Sequence, residues 1–272
     1  MSNTSIVSVL ITGALCAMAG TAGAQSDQRL AVPLSDPSRP VRLEIALFMG
    51  DIRVEAYDGN EVIVLADAPI RGEEAEEPRE DGLRRIQSSA VGLTVEEHDN
   101  TVSVRMDFSP KNADIEVQVP RRTSVRANLV NGGDVEVIGV SGEHELGNVN
   151  GDVIATDIAG SAVINATNGD VRATFTSVEG TKSMSFTSFN GDVDVTLPAN
   201  LAADLLVASQ QGDVYTDFDV QAQDDQATIE RNADARGGYR VRMRQQNRYT
   251  IGGGGTDIQL RTFNGDVMIR KR

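Results

Sequence analysis

Few side chains here have chemistry to offer. The 272 residues include two histidines and one cysteine. His144 lies six residues before Asn150, at a repeat position that Leu43, Ala162, Met184, Leu205 and Ile258 fill elsewhere. That company predicts a core imidazole, away from any metal or substrate. His98, within Glu96-Glu97-His98-Asp99-Asn100, belongs to a polar turn and is expected in solvent. Nucleophilic catalysis needs a nucleophile beside a base. No Ser/His/Asp spacing supplies one, so the expectation is a non-enzymatic protein with no catalytic, cofactor-binding or metal-ligating residue.

Aspartates are the most regular polar feature. A turn tripeptide recurs as Met49-Gly50-Asp51, Asn150-Gly151-Asp152, Asn168-Gly169-Asp170, Asn190-Gly191-Asp192, Gln211-Gly212-Asp213 and Asn264-Gly265-Asp266. A seventh copy, Asn131-Gly132-Gly133-Asp134, carries one extra glycine. Stacked units would set Asp134, Asp152, Asp170, Asp192 and Asp213 in a ladder with neighbours about 4.8 Å apart. Repulsion of about 0.9 kcal/mol in water then competes with the roughly 1 kcal/mol an Asp gains from its own turn's N–H groups. Calcium would relieve that repulsion. The spacing is not that of a nine-residue glycine–aspartate calcium repeat, and a calcium cage needs six to eight oxygens. Solvated turn carboxylates are therefore expected.

Two further patterns offer binding chemistry. One residue before each turn stand Phe48, Val130, Val149, Thr167, Phe189, Gln210 and Phe263. These either stack inside a corner or form an exposed stripe for a sugar or partner protein. Arg240, Arg242 and Arg244 alternate with Tyr239, Val241 and Met243. Three guanidiniums on one strand face suit an acidic glycan or lipid phosphate, or serve as an edge stripe that blocks aggregation.

The elements positioning these residues follow from periodicity. Leu43, Ile45 and Leu47 precede the first turn at alternate positions, Val125, Ala127 and Leu129 precede the Asn131 turn, and Leu205 and Val207 precede the Gln211 turn. Alternation resumes after each turn, as in Val153 and Ala155 or Val193 and Val195. Period two marks half-buried strands. One unit reads strand, Asn-Gly-Asp turn, strand, glycine corner, the second corner being Val140-Ser141-Gly142 or Ile158-Ala159-Gly160. Asn and Gly suit the turn through their tolerance of positive φ. Asn-Gly is also a hairpin signal, so an antiparallel meander competes. Matching turns, corners and inward columns at one period favour an all-β, right-handed parallel β-helix (solenoid) with rungs of about 18–22 residues. Successive aspartates from Asp134 to Asp213 are 18, 18, 22 and 21 residues apart. The longer gaps hold strands near Val62–Leu65, Leu93–Val95, Val102–Met106 and Ile115–Val119, and the acidic run 73–77 reads as a solvated loop. Residues 41–272 thus form a single solenoid domain, less regular at first, with an inserted loop near 221–238.

The segment Glu55-Ala56-Tyr57-Asp58-Gly59-Asn60-Glu61-Val62-Ile63-Val64, the mid-chain Ile115-Glu116-Val117-Gln118-Val119-Pro120 and the serial Asn-Gly-Asp-Val turns resemble the bacterial putative-adhesin family of β-strand-repeat proteins. The resemblance spans about residues 40–272. It implies an exported right-handed β-helix with an adhesive or surface role, and supplies no catalytic residues.

The apolar stretch from Ile6 to Ala19 and the small-x-small Ala22-Gly23-Ala24 read as a signal peptide over 1–24, cut before Gln25. Residues 25–40 then form an N-terminal extension. Cys16 lies inside the signal behind Leu15, so neither lipid anchoring nor a disulfide is expected. No transmembrane segment is expected in the mature chain. Net charge of −15 disfavours nucleic acid and anionic membrane as partners. The expected function is an adhesion or ligand-binding module of the cell envelope, periplasmic, cell-surface or secreted. An envelope glycan, an anionic lipid headgroup or a surface protein is the partner, and the module itself is a monomer. One alternative is a glycan-active β-helix resembling polysaccharide lyases, for which only Lys111, Lys182 and Lys271 supply lysines. The other is a structural scaffold whose open rungs stack onto another chain.

Overall fold

Alternating Val, Ile and Leu between glycine-bearing turns leave the chain little choice but strands that bury one edge of each pleat. The computed structural model describes residues 28–67, 93–106, 114–179, 182–223, 228–233, 239–244 and 247–272. The expected signal segment 1–24, the acidic run 73–77, Lys111, and the side chains of Arg240, Arg242 and Arg244 lie outside what is described. Every element among the described residues is a strand.

The first strands are β1 (Gln28–Pro33), β2 (Val41–Tyr57), β3 (Glu61–Asp67), β4 (Leu93–His98), β5 (Thr101–Met106) and β6 (Asp114–Pro120). The regular middle comprises β7 (Thr123–Ile138), β8 (Ser141–Asn150), β9 (Val153–Asn168), β10 (Val171–Val178), β11 (Met184–Asn190) and β12 (Val193–Leu197). Then come β13 (Ala203–Gln211), β14 (Val214–Thr216), β15 (Gln221–Ala222), β16 (Thr228–Ala233), β17 (Tyr239–Arg244), β18 (Asn247–Ile251), β19 (Thr256–Asn264) and β20 (Val267–Lys271).

Layers stack in parallel register, one turn motif over the next. Val153 pairs with Val135 on one side and Val171 on the other, and Val171 pairs in turn with Val193. Each layer contributes one strand segment before its turn and one after, the two being continuous in β2 and β7, so two parallel sheets face each other across an apolar core. Leu43, Leu146, Ile164 and Phe186 line one sheet; Val54, Val153, Val171 and Val193 line the other, all fully buried. Each such side chain contributes about 2 kcal/mol when taken from water. Phe175 and Phe186 meet edge to face at 5.9 Å across the core.

Spatial order departs from chain order at both ends. The layer at 41–57 lies between 101–120 and 123–138, for β2 pairs with β5 and β6 on one side and β7 on the other. Correspondingly, β19 and β20 lie between the β11–β12 layer and the β13–β14 layer. Asp192 therefore neighbours Asp266, and Asp213 is one layer further out. The ladder expected from sequence is corrected accordingly, and Asp51, Asp114 and Asp266 join it.

Antiparallel strands cover the stack ends: β4 on β5, β3 on β6 with β1 beyond it, and β18 on β13. β1 falls within the expected N-terminal extension, yet it belongs to the sheet, and its buried Val32, with Leu34 just after the strand, joins the core. Within the expected loop 221–238 lie β15 and β16, and β16 pairs with β17 as a separate hairpin. No helix of the described residues is long and apolar enough to cross a membrane.

Candidate binding face

The turn edge is held by three hydrogen-bonded columns. In the outermost, each aspartate carboxylate accepts the backbone N–H of the aspartate in the next layer. The chain of contacts runs Asp51 to Asp114 (3.1 Å), Asp134 to Asp51 (2.7 Å), and Asp152 to Asp134, Asp170 to Asp152, Asp192 to Asp170, Asp266 to Asp192 and Asp213 to Asp266, each 2.8 Å. Sequence reasoning expected each Asp to serve its own turn; the parallel stack brings the next layer's N–H closer. Charge-assisted bonds of this kind are about twice as strong as neutral ones, which outweighs the repulsion between neighbours. Arg172 further neutralises the column, reaching Asp152 at 2.8 Å and also pairing with Asp170.

Asparagines form the second column. Asn150 donates to Asn131 (2.6 Å), Asn168 to Asn150 (2.9 Å), Asn190 to Asn168 (2.8 Å) and Asn264 to Asn190 (2.6 Å), each through its side-chain amide. None of these asparagines has positive φ; the turn asks for Asn because it stacks, which corrects the sequence argument. Behind them a third set ties the turn glycines from inside. Buried Ser188 donates to the Gly169 carbonyl (2.8 Å), Thr262 to Gly191 (2.7 Å), Ser209 to Gly265 (2.9 Å) and Asn148 to Gly133 (2.9 Å). These struts explain the polar residues that interrupt the apolar alternation two positions before the turn.

Beside this edge runs the stripe of residues one before each turn. It lies on the outer surface of the first sheet, in the order Phe48, Val130, Val149, Thr167, Phe189, Phe263, Gln210. Of the two arrangements the sequence allows, the exposed one is found. Phe48 is 48% and Phe189 51% exposed, with Val130 and Val149 near 40%. Phe189 and Phe263 stack with centroids 4.9 Å apart and planes 15° from parallel. A largely apolar row, interrupted by Thr167 and ending at Gln210, thus adjoins a row of amides. Each Asn has two N–H donors and two lone pairs, and the ladder consumes only part of them.

The histidines take the places expected. His98 is exposed and His144 buried. The Ala159 carbonyl can only accept, so His144 Nε2–H donates to it at 3.2 Å, and Nδ1 has no protein partner. Burial pushes the His144 pKa down to about 4, against the smaller opposing effects of the Ala159 bond and Glu143. His144 also borders a surface groove of about 270 Å³ flanked by Arg42, Arg126, Glu143, Glu145 and Lys182. Arg126 pairs with Glu145 at 2.9 Å and Lys182 with Glu143, so much of the groove's charge is already matched. Among the described residues no group of three or more His, Cys, Asp or Glu side chains could hold a metal ion. β17, which carries Arg240, Arg242 and Arg244, pairs with β16.

Residues 130–247 match the family described as Toastrack DUF4097. Among solved structures, one described as "a putative cell adhesion protein" from Clostridium sporogenes ATCC 15579 is 9% identical, with 91% of this chain and 100% of that chain covered and a TM-score of 0.36. A "putative adhesin" from Bacteroides fragilis NCTC 9343 is 11% identical, covering 92% and 98%, with a TM-score of 0.37. Another from Parabacteroides merdae ATCC 43184 is 11% identical, covering 92% and 97%, with a TM-score of 0.28. Comparison with curated proteins gives no match.

Proposed function

We propose that this chain, whose residues 130–247 match the toastrack family, is an exported, non-enzymatic binding module of the bacterial cell envelope, and that its turn-edge face takes a glycan. One observation carries the reading: the exposed row of Phe48, Val130, Val149 and Phe189 lies directly beside the amide ladder from Asn131 to Asn264. A pyranose has the matching character, with an apolar C–H face and a rim of hydroxyls. Side chains fixed by a stacked backbone lose little freedom on binding, and that preorganisation favours affinity. The apolar stretch from Ile6 to Ala19 supports export.

The test is a panel of immobilised envelope glycans probed with wild type and with Phe189→Ser. A glycan that binds wild type and loses at least about tenfold with the variant, roughly 1.4 kcal/mol, supports the proposal. Equal binding by both proteins, or no binding to any glycan, refutes it.

A further inference from the structure

Two sheets have four ends, and three of them are covered. β4 covers β5, β3 covers β6 and β18 covers β13. The fourth end is β14, which pairs with β20 on one side and with no strand on the other among the described residues. The core registers the difference. Ile52, Val135, Val153, Val171, Val193 and Val267 are at most 1% exposed, whereas Val214, the outermost residue of that column, is 38% exposed.

The backbone of β14 is also oriented for pairing. Asp213 C=O accepts from Val267 N–H at 2.9 Å, and Asp217 N–H donates to the Ile269 carbonyl at 3.4 Å. Parallel ladders alternate, so the N–H and C=O groups of Val214 and Thr216 face away from β20 into the open edge. A strand laid there would send alternate residues inward over Val214, where apolar groups are required. The others would lie beside Asp213, Tyr215 and Asp217, whose Oδ1 also accepts from Lys271 N–H at 2.8 Å, with exposed Asp219, 3.9 Å from the Lys271 ammonium, following. The fitting segment therefore alternates apolar and basic residues. Tyr239-Arg240-Val241-Arg242-Met243-Arg244 has that alternation. It forms β17, which pairs only with β16 among the described residues.

We propose that β17 of a second copy adds as a strand to β14, joining chains head to tail. Donor and acceptor are different parts of the chain, so the contact is heterologous and does not close on itself. This inference is independent of glycan binding. A three-residue acceptor edge supports weak association, with a dissociation constant on the order of 100 µM. The net charge of −15 per copy opposes it at low salt. At physiological salt, screening over about 8 Å mutes that long-range term more than the local pairs.

Sedimentation velocity at physiological salt, from roughly 10 µM to 1 mM, tests the proposal. Wild type should grow in mean mass with concentration. Val214→Pro removes an outward N–H while sparing the β20 ladder, and should stay monomeric with an unchanged melting temperature. Val214→Thr, which keeps the N–H, should still associate. Replacing residues 228–244 by a glycine–serine linker removes β16 and β17, which pair only with each other among the described residues, and should also give a monomer. A mixture of Val214→Pro and the linker variant should form dimers and nothing larger, because one retains only the donor and the other only the acceptor. Monomeric wild type throughout, as expected if the chain's own hairpin or a different protein covers β14, overturns the proposal. So does undiminished association by the linker variant.

Discussion

The backbone N–H of Asp266 donates to the carboxylate of Asp192 at 2.8 Å, across 74 residues of sequence. Asp213 N–H makes the same bond to Asp266, so one carboxylate per layer fastens the stack in an order the chain does not follow. Asp192→Ala leaves the Asp266 N–H without this acceptor and should cost about 1–3 kcal/mol. Asp192→Asn keeps an acceptor oxygen and removes a charge, and should cost roughly half as much or less. Urea midpoints at constant m-value measure both. Equal losses for the two variants would show that the contact does not act through its acceptor.

The turn glycines are fixed by the layer beneath. A Cβ on Gly191, whose φ is +155°, would lie 2.2 Å from the Gly169 carbonyl oxygen, and that oxygen belongs to stacked backbone that cannot yield alone. Gly191→Ala is expected to cost about 3 kcal/mol. Gly253 also has positive φ, +88°, but its Cβ would meet nothing within 4 Å. Gly253→Ala should cost only about 1 kcal/mol, the conformational part alone. Thermal unfolding of the pair separates close approach from backbone strain; equal shifts in melting temperature would contradict the distinction.

Acid should loosen the core at His144. Its folded pKa of about 4 lies below the 6.5 of an unfolded histidine. Between those values the unfolded chain binds more protons, so stability rises with pH there. The contribution is complete above about pH 6.5 and is lost as pH falls towards 4, amounting to about 3 kcal/mol. His144→Leu, in a column with Val125 and Ala162, removes that slope and leaves no unpaired Nδ1 in the core. Denaturant unfolding from pH 7 to 4 should show a steep loss for wild type relative to the variant. Parallel curves would rule out His144 as the source.

Much of this was legible in the sequence because each layer repeats the same physical demands. The adjacency of Val153 and Val171, the buried His144 and the strands flanking each Asn-Gly-Asp turn all follow from period-two alternation aligned on the turn. Layer order was not legible, since Val193 accepts Val214 or Val267 equally well by local pattern. The partner of each aspartate was hidden for a related reason. Turn chemistry describes one chain segment, whereas the closest N–H belongs to the neighbouring layer. Exposure of Phe189 depended on which side of the strand starts the turn, and Ser188 and Thr262 next to the stripe held the unread clue. A polar residue that reaches inward to a glycine carbonyl fixes its neighbour as outward.

Synthesis delivers residues 203–216 before residues 256–271, although the later segment ends up inside the earlier one. The edge offered by β11 and β12 is thus presented first to a counterfeit that carries the same glycine and aspartate. Docking in simple chain order would satisfy each local bond and leave the final segment homeless. What separates the two outcomes is the irregular material between them: β18 locks antiparallel onto β13 only at the far side, and the positive-φ bend at Gly252, Gly253 and Gly254 turns the chain back into the gap. Fidelity of assembly in this molecule resides in its least repetitive residues.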